Sequence, residues 1–202
     1  YQVGSFVGER WKEWNGQFRD DVRRFLKGDN GTAGRVAARL FGSPDLYGHE
    51  ERGAEQSINF VTCHDGFTLN DLVSYNHKHN EANGHGDTDG ANDNLSWNCG
   101  VEGDADAPET VLAVRRQQVK NFCALLMLAN GLPMIVAGDE FLNTQRGNNN
   151  PYNQDNETTW LDWDRLEQNR DMFRFFQRMI AFRKSRRMLG RSRFWRDDLK
   201  WY

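Results

Sequence analysis

The sequence predicts an α/β fold, because two short apolar runs lie on either side of a long segment with helical periodicity. Residues 58–63 and 132–137 are mostly apolar and β-favouring, the pattern of buried parallel strands. Between them, residues 108–130 carry apolar side chains at helical spacing. Strand, crossover helix and strand then make one βαβ unit.

Three further helices are expected outside this unit. Residues 15–27 and 32–41 show short helical patterns, each followed by a glycine that would stop the helix. Residues 170–188 form the last helical pattern, with an apolar face of Met172, Phe175, Phe176, Met179 and Phe182.

The crossover helix within the unit has clear end signals. Pro108 suits its first turn, and Gly131 suits the position just after its end.

Two long segments, residues 76–107 and 141–163, have almost no periodicity and are rich in Asn, Gly and Asp. Loops of this length inside compact domains are usually functional or disordered. Only two strands are convincing, whereas a complete eight-stranded barrel needs about 250 residues. The fold predicted for residues 1–202 is therefore a partial (β/α)8 TIM barrel, its C-terminal portion, with long Asn- and Gly-rich loops.

Composition excludes several classes of partner. The chain has 202 residues, 38% of them hydrophobic and 27% charged, and a formal net charge of −3. This charge does not favour a nucleic acid partner, and the basic run at residues 183–187 is explained as cations at the C-terminal end of a helix. No apolar run approaches the roughly 20 residues of a membrane span, so no membrane partner is expected.

The N-terminus and the cysteines indicate the context of the chain. Tyr1 is preceded by no initiator Met and followed by no signal peptide, so we expect the interior of a longer protein. The three cysteines, Cys63, Cys99 and Cys123, have no metal-binding spacing. Their odd number suggests buried thiols in a reducing compartment, and we expect a cytoplasmic protein.

Polar side chains follow both predicted strands. His64 and Asp65 come at the end of the first strand, and Asp139 and Glu140 follow the second. The carboxyl ends of parallel strands are where barrels place their active sites. Asp65 with Gly66 is also a turn signal, so a plain turn remains an alternative for the first pair. For the second pair we favour an N-cap and first-turn acids of a helical turn.

Metal binding is not predicted. The segment that begins at His85 fails as an EF-hand, because with Gly90 at position six it places His85 at position one and Ser96 at position twelve. A solvated, flexible loop explains it better. His77, His79 and His85 lack a further ligand at zinc spacing on a rigid element. We therefore expect neither a metal nor a cofactor.

Aromatic residues in the polar loops favour a carbohydrate site. Sugars need flat apolar faces to stack on, together with amides or carboxylates that bond their hydroxyls. A single aromatic residue in a loop is more often an anchor packed on the core. The combination predicted to lie at the rim of the sheet is Trp97, Tyr152, Trp160 and Trp163 among Asn, Gln and Asp.

The sequence resembles a known family through several strings. Residues 60–65 resemble the fourth signature region of the α-amylase superfamily. Five longer strings resemble the isoamylase-type debranching enzymes, including bacterial glycogen debranching enzymes: HDGFTLNDLVSYNHKHNEANG, SWNCGVEG, LPMIVAGDEF, GNNNPYNQDN and TTWLDW. They occur in the family's order over roughly residues 1–190, which makes the resemblance specific.

The resemblance implies a retaining glycoside hydrolase that cleaves α-1,6 branch linkages in glycogen, starch or limit dextrins. Of the family's three catalytic carboxylates, Asp65 matches the one that holds substrate hydroxyls and favours the transition state. His64 matches the histidine that contacts the same sugar. We also expect Asn149, Tyr152 and Trp97 to contribute to binding of the α-glucan.

Other parts of the family's catalytic apparatus are expected outside this chain. The nucleophile and the general acid lie on earlier strands, and the acid-bearing motif would end just before Tyr1. The family's C-terminal β-sandwich would follow Tyr202. We therefore expect the isolated chain to be inactive, with a non-catalytic glucan-binding or structural module as the alternative. Strand edges without neighbours also predict self-association of the isolated chain.

Overall fold

The computed structural model describes residues 2–6, 8, 10–48, 52–190 and 193–195. These residues divide into two compact units. The first unit takes Tyr1–Val61, Phe122–Met134 and Met179–Tyr202, and the second takes Thr62–Asn121 and Ile135–Arg178. None of the described helices is long and apolar enough to cross a membrane.

The described elements alternate between short strands and helices. The strands are β1 (Glu13–Asn15), β2 (Ser57–Phe60) and β3 (Leu132–Met134). The α-helices are α1 (Gly16–Lys27), α2 (Ala33–Leu40), α3 (Pro44–Tyr47), α4 (Leu69–Leu72), α5 (Glu109–Leu128), α6 (Asp164–Gln168) and α7 (Arg170–Ser185). Three 3₁₀ turns lie at Ala54–Gln56, Glu81–Asn83 and Asp139–Phe141.

The three strands form a parallel sheet in the order β1-β2-β3 within the first unit. Asn15 pairs with Asn59, and Phe60 pairs with Met134. The α/β class is therefore confirmed, although the described residues hold a small sheet and no closed barrel. The expectation of open edges on both predicted strands was wrong for β2, which has neighbours on both sides. Within the part of the chain that the structure describes, the edge strands are β1 and β3.

Strand β1 was not predicted from the sequence, because the buried side chains at this part of the sheet are polar. Glu13, Asn15, Ser57 and Asn59 are all buried. Asn15 donates to the hydroxyl oxygens of Ser43 at 2.9 Å and of Ser57 at 2.8 Å. Such burial is tolerated because the polar groups are hydrogen-bonded, but it leaves no apolar alternation in the sequence.

Both predicted strands end earlier than their apolar runs. The backbone carbonyl of Val61 accepts hydrogen bonds from Arg23 Nε at 3.0 Å and Nη2 at 2.6 Å instead of continuing the sheet. On the other side, Phe60 and Met134 are the last paired residues. As a result, His64 and Asp65 lie in a loop several residues beyond β2.

The predicted longer helices are confirmed to within a few residues. Asn15 caps α1 by accepting from the Phe18 amide at 2.9 Å, and Gly28 ends it with a left-handed φ of 94°. In α7, however, only Met172 and Phe176 of the predicted apolar face are buried. Among the cysteines, Cys99 and Cys123 are buried as expected, whereas Cys63 is only partly buried.

Candidate functional site in the loops after β2 and β3

The loop after β2 presents His64 and Asp65 to solvent. Their side chains are 72% and 81% exposed, and His64 Nε2 lies 3.5 Å from Asp65 Oδ2. Gly66 follows with a left-handed φ of 93°, a conformation that glycine adopts at little cost. The two side chains predicted to bind substrate therefore stand together and can be reached by a ligand.

A buried carboxylate holds both ends of this loop. Asp139 lies in the 3₁₀ turn that follows β3, and it is almost completely buried. Its Oδ2 accepts a hydrogen bond from the Thr62 hydroxyl, and its Oδ1 accepts one from the Leu69 amide at 2.9 Å. Since Thr62 precedes the His64–Asp65 pair and Leu69 follows it, one carboxylate restrains the whole loop.

Asp139 was expected to be an N-cap or first-turn acid. It does occupy the first turn, as does Glu140, whose Oε2 accepts from the amide of the capping residue Gly138 at 2.9 Å. Burial raises the pKa of Asp139 to about 6, even though the hydrogen bonds from Thr62 and Leu69 favour its ionised form. The first-turn part of the prediction is therefore confirmed for both acids. The N-cap part was wrong, because Gly138 is the capping residue and the Asp139 carboxylate bonds to a distant loop.

A second buried carboxylate, Asp71, organises the loop that follows β3. It lies in α4 and accepts hydrogen bonds from the Thr144 hydroxyl, the Gln145 amide at 2.8 Å and the Gly147 amide at 3.3 Å. Burial raises its pKa to about 6, with these hydrogen bonds acting in the opposite direction. The turn at residues 144–147 is thereby fixed to α4.

Paired asparagines join the two long loops. Asn149 donates its amide N–H to Asn80 Oδ1 at 2.9 Å, and Asn80 Nδ2 donates to Asn149 Oδ1 at 2.8 Å. Asn149 Nδ2 also donates to Asn94 Oδ1 and to the Ala91 carbonyl, both at 2.8 Å. The side chain of Asn149 is thus engaged on both its oxygen and its nitrogen, and the residue is only 3% exposed.

The same asparagine connects these loops to the His64–Asp65 pair. The Gly66 amide donates to the Asn149 carbonyl at 3.0 Å, and Gln145 Nε2 donates to the Gly66 carbonyl at 3.1 Å. Both backbone groups of Gly66, directly after Asp65, are therefore bonded to the loop at residues 145–149. Asn149 is placed to position this loop.

In the segment that begins at His85, the side chain of Asp89 is hydrogen-bonded to two asparagines. Asp89 Oδ2 accepts from Asn83 Nδ2 and from Asn150 Nδ2, each at 2.8 Å. The hydrogen bond from Asn83, followed by the one from Asn150, lowers the pKa of Asp89 below its usual range. The segment is mostly exposed, as predicted, and its flexibility stays a prediction; local sequence could not reveal the bonds to residues 148–150.

The aromatic residues of the loops lie at the surface. Tyr152 is 70% exposed and Trp97 is 37% exposed, and the Trp97 amide donates to the Leu72 carbonyl at 3.1 Å. Trp160 and Trp163 are exposed as well. Within the described residues, no group of three or more His, Cys, Asp or Glu side chains could hold a metal ion. The chemistry presented here is a carboxylate, an imidazole and aromatic faces.

Sequence reasoning missed Asp71, Asn80, Asn83 and Asn94 as parts of this arrangement. One local signal was present: Thr68, which accepts from the Asp71 amide at 3.2 Å, marks the start of α4. Nothing local indicates that the Asp71 carboxylate bonds to Thr144, 73 residues away.

Comparison with known proteins identifies relatives over the whole chain. No family model matches it. Isoamylase 3, chloroplastic, from Oryza sativa subsp. japonica is 53% identical over 205 residues, covering 100% of this chain and 26% of the relative. The glycogen operon protein GlgX homolog of Mycobacterium tuberculosis is 52% identical over 198 residues, covering 98% of this chain and 27% of the relative. Over the part that it spans, the chain is a homologue of isoamylase and GlgX proteins.

This isoamylase–GlgX homologue spans about a quarter of the length of the curated relatives it matches. Solved structures also resemble it. The pullulanase from Anoxybacillus sp. LM18-11 complexed with maltotetraose has a TM-score of 0.63 and 26% identity, over 86% of this chain and 22% of that one. The pullulanase from Bacillus acidopullulyticus, 22% identical, has a TM-score of 0.62 over 85% of this chain and 18% of that one, and supports the fold. The predicted resemblance to debranching enzymes of the α-amylase superfamily is thereby confirmed.

Proposed function

We propose that the protein containing this chain cleaves α-1,6 branch linkages in glycogen, starch or limit dextrins. In this proposal, residues 1–202 are the C-terminal part of a (β/α)8 barrel that forms the catalytic domain. The observation that carries it is the exposed His64–Asp65 pair on a restrained loop, in a chain about half identical to isoamylase and GlgX proteins. Its partner is an α-glucan polysaccharide.

Asp65 has the properties that the transition state requires. Retaining glycoside hydrolysis uses two carboxyl groups about 5–5.5 Å apart and passes through an oxocarbenium-like state, in which bonds to the 2-OH strengthen. Asp65 would be a further carboxylate that accepts hydrogen bonds from neighbouring hydroxyls of the distorted sugar. Because Asp139 and Asn149 hold its loop, the charge would need little reorganisation as positive charge develops.

The remaining site residues would act in two ways. His64 would bond the same sugar as Asp65, since its imidazole lies beside the carboxylate. Tyr152 and Trp97 would offer apolar faces to the glucan chain. Asn149 would act through the loops as a positioning residue, because its amide is buried and already bonded to Asn80 and Asn94.

The isolated chain should bind glucan without cutting it. We place the nucleophile and the general acid in the part of the protein before residue 1, as the family resemblance implies. A non-catalytic glucan-binding module is the second candidate function, and it is favoured by the exposed aromatic residues of both loops. For residues 1–202 alone, both candidate functions predict retention on glycogen in affinity electrophoresis and no release of reducing ends.

Hydrolysis by the full-length protein separates the two candidates. With β-limit dextrin of amylopectin, we expect new reducing ends and linear products. Linear amylose, which has no branches, is the matched control and should release none. Glucan binding without reducing ends from the full-length protein would favour the binding module and contradict the enzymatic proposal.

A further inference from the structure

Two exposed rings from different loops meet beside the asparagine network. His85 Nε2 lies 2.9 Å from the hydroxyl oxygen of Tyr152. The two ring planes differ by only 13°, and the ring centroids are 6.4 Å apart. Both residues are exposed. The pair is therefore joined through its polar edges while remaining at the surface.

This geometry places two nearly parallel rings side by side, joined at their polar atoms. A hydrogen bond to an imidazole nitrogen lies close to the ring plane. Two nearly parallel rings joined in this way therefore offer a larger area of ring face than either ring alone. Their polar atoms satisfy one another, and apolar ring faces stay open to solvent. An aromatic pair that served only packing would instead cover its faces.

The Tyr152 side of the pair is held by the neighbouring residues. Asn153 Nδ2 donates to the Asn83 carbonyl at 3.0 Å, and Gln154 Nε2 donates to the Ala82 carbonyl at 2.9 Å. These bonds connect the chain just after Tyr152 to the chain just before His85. The position of one ring relative to the other is thus set by the loops rather than by the ring contact alone.

The His85 side is equally restrained. The His85 carbonyl accepts from the Thr88 hydroxyl at 2.7 Å and from the Thr88 amide at 3.3 Å. Asp89, which follows, is bonded to Asn83 and Asn150. Two exposed rings on such a restrained frame lose little conformational entropy when a ligand covers them, as binding residues require.

We propose that His85 and Tyr152 form a two-ring platform on which successive glucose rings of the α-glucan stack. Pyranose rings present apolar C–H faces that match open aromatic faces. The platform deepens the proposed function, on which its choice of ligand rests, and it adds His85 as a specificity-determining residue. It would hold chain segments outside the sugar contacted by His64 and Asp65.

The test is binding of maltoheptaose to the full-length protein by isothermal titration calorimetry. This linear ligand has no branch to cleave, so binding is measured without turnover. His85→Ala and Tyr152→Ala should each weaken affinity by about 2- to 10-fold, in keeping with the worth of one aromatic contact. Tyr152→Phe keeps the ring face and should lose less. His77→Ala, at another exposed histidine of the same segment, is the matched control and should bind like the parent.

Unchanged affinity in both alanine variants, with parent-like thermal midpoints, would overturn the platform. An equal loss in His77→Ala would overturn it too, because the effect would not belong to the ring pair. The double variant should bind more weakly than either single variant, since each single variant still keeps one ring of the platform. If the parent protein debranches but the alanine variants bind maltoheptaose like the parent, the platform is wrong and the enzymatic proposal stands. If the alanine variants lose binding but the parent protein does not debranch, the enzymatic proposal is wrong and the platform stands.

Discussion

The three aspartates around the candidate site have different environments and, we infer, different tasks. Asp65 is 81% exposed on its loop. Asp71 and Asp139 are buried, and burial raises the pKa of each to about 6. An exposed carboxylate can bind a ligand, whereas the oxygens of the buried carboxylates accept hydrogen bonds from backbone amides and hydroxyls of the loops.

Replacing Asp65 by Asn in the full-length protein tests the proposed role directly. The substitution keeps the size of the side chain but removes the negative charge that faces the developing oxocarbenium. Electrostatic effects of this type are worth on the order of 3–4 kcal/mol, so turnover should fall by about 10²–10³. Glucan binding should survive. Near-normal turnover would instead favour a plain turn, since Asn-Gly turns as readily as Asp-Gly.

The buried carboxyl of Asp139 predicts a pH dependence of stability. Its pKa is about 6 in the folded protein, against an ordinary value of 3.8. Between these values the folded state keeps a proton that the unfolded state has released. The free energy of unfolding should therefore fall as the pH rises from about 4 to 6, by up to about 3 kcal/mol from this group, and level off above.

Urea unfolding of the full-length protein at several pH values checks this expectation. Asp139→Asn should remove its part of the decline between pH 4 and 6, because the amide does not titrate. Asp65→Asn is the matched control and should leave that decline in place, since Asp65 is exposed. A constant difference in stability between Asp139→Asn and the parent at every pH would contradict the assignment.

Among the secondary-structure elements, the end of β2 is decided by a side chain from a helix. Arg23 of α1 is buried and donates to the Val61 carbonyl through two nitrogens. A backbone carbonyl at the end of a short strand would otherwise remain buried without a partner. The arginine thus ends the strand where the loop to His64 begins.

Arg23→Met should destabilise the protein by about 1–3 kcal/mol, because it keeps a long apolar stem but leaves the Val61 carbonyl unsatisfied. Arg24→Met, on the next position of the same helix, is the matched control. Arg24 is partly exposed and 3.5 Å from Asp29, a surface pair worth about 0–1 kcal/mol. Chemical denaturation measures both, and equal effects would rule out a special role for Arg23.

For the molecule as a whole, the sheet that the described residues form has β1 and β3 as its edge strands. Unpaired strand edges are templates for pairing with another chain, and natural proteins cover them. The curated relatives are about four times longer than this chain, so in the proposed longer protein other segments would cover these edges.

We therefore expect residues 1–202 in isolation to self-associate. Sedimentation velocity should show species heavier than the 23.5 kDa of one chain, increasing with concentration. The full-length protein is the control and should not associate through these edges. A monodisperse monomer of the isolated chain that unfolds cooperatively at high concentration would disprove the expectation.

The sequence alone determined the longer helices, the positions of β2 and β3, and the place of His64 and Asp65 after β2 within a family motif. Helical periodicity and apolar runs are local, and signature strings survive in order along the chain, so each can be read without knowing contacts. Only the tertiary structure decided that Asp71 and Asp139 hold the loops, that Asn149 is buried, and that β1 exists. These depend on hydrogen bonds between residues as many as 77 positions apart, and polar side chains that are satisfied by such distant partners leave no periodic pattern in the sequence.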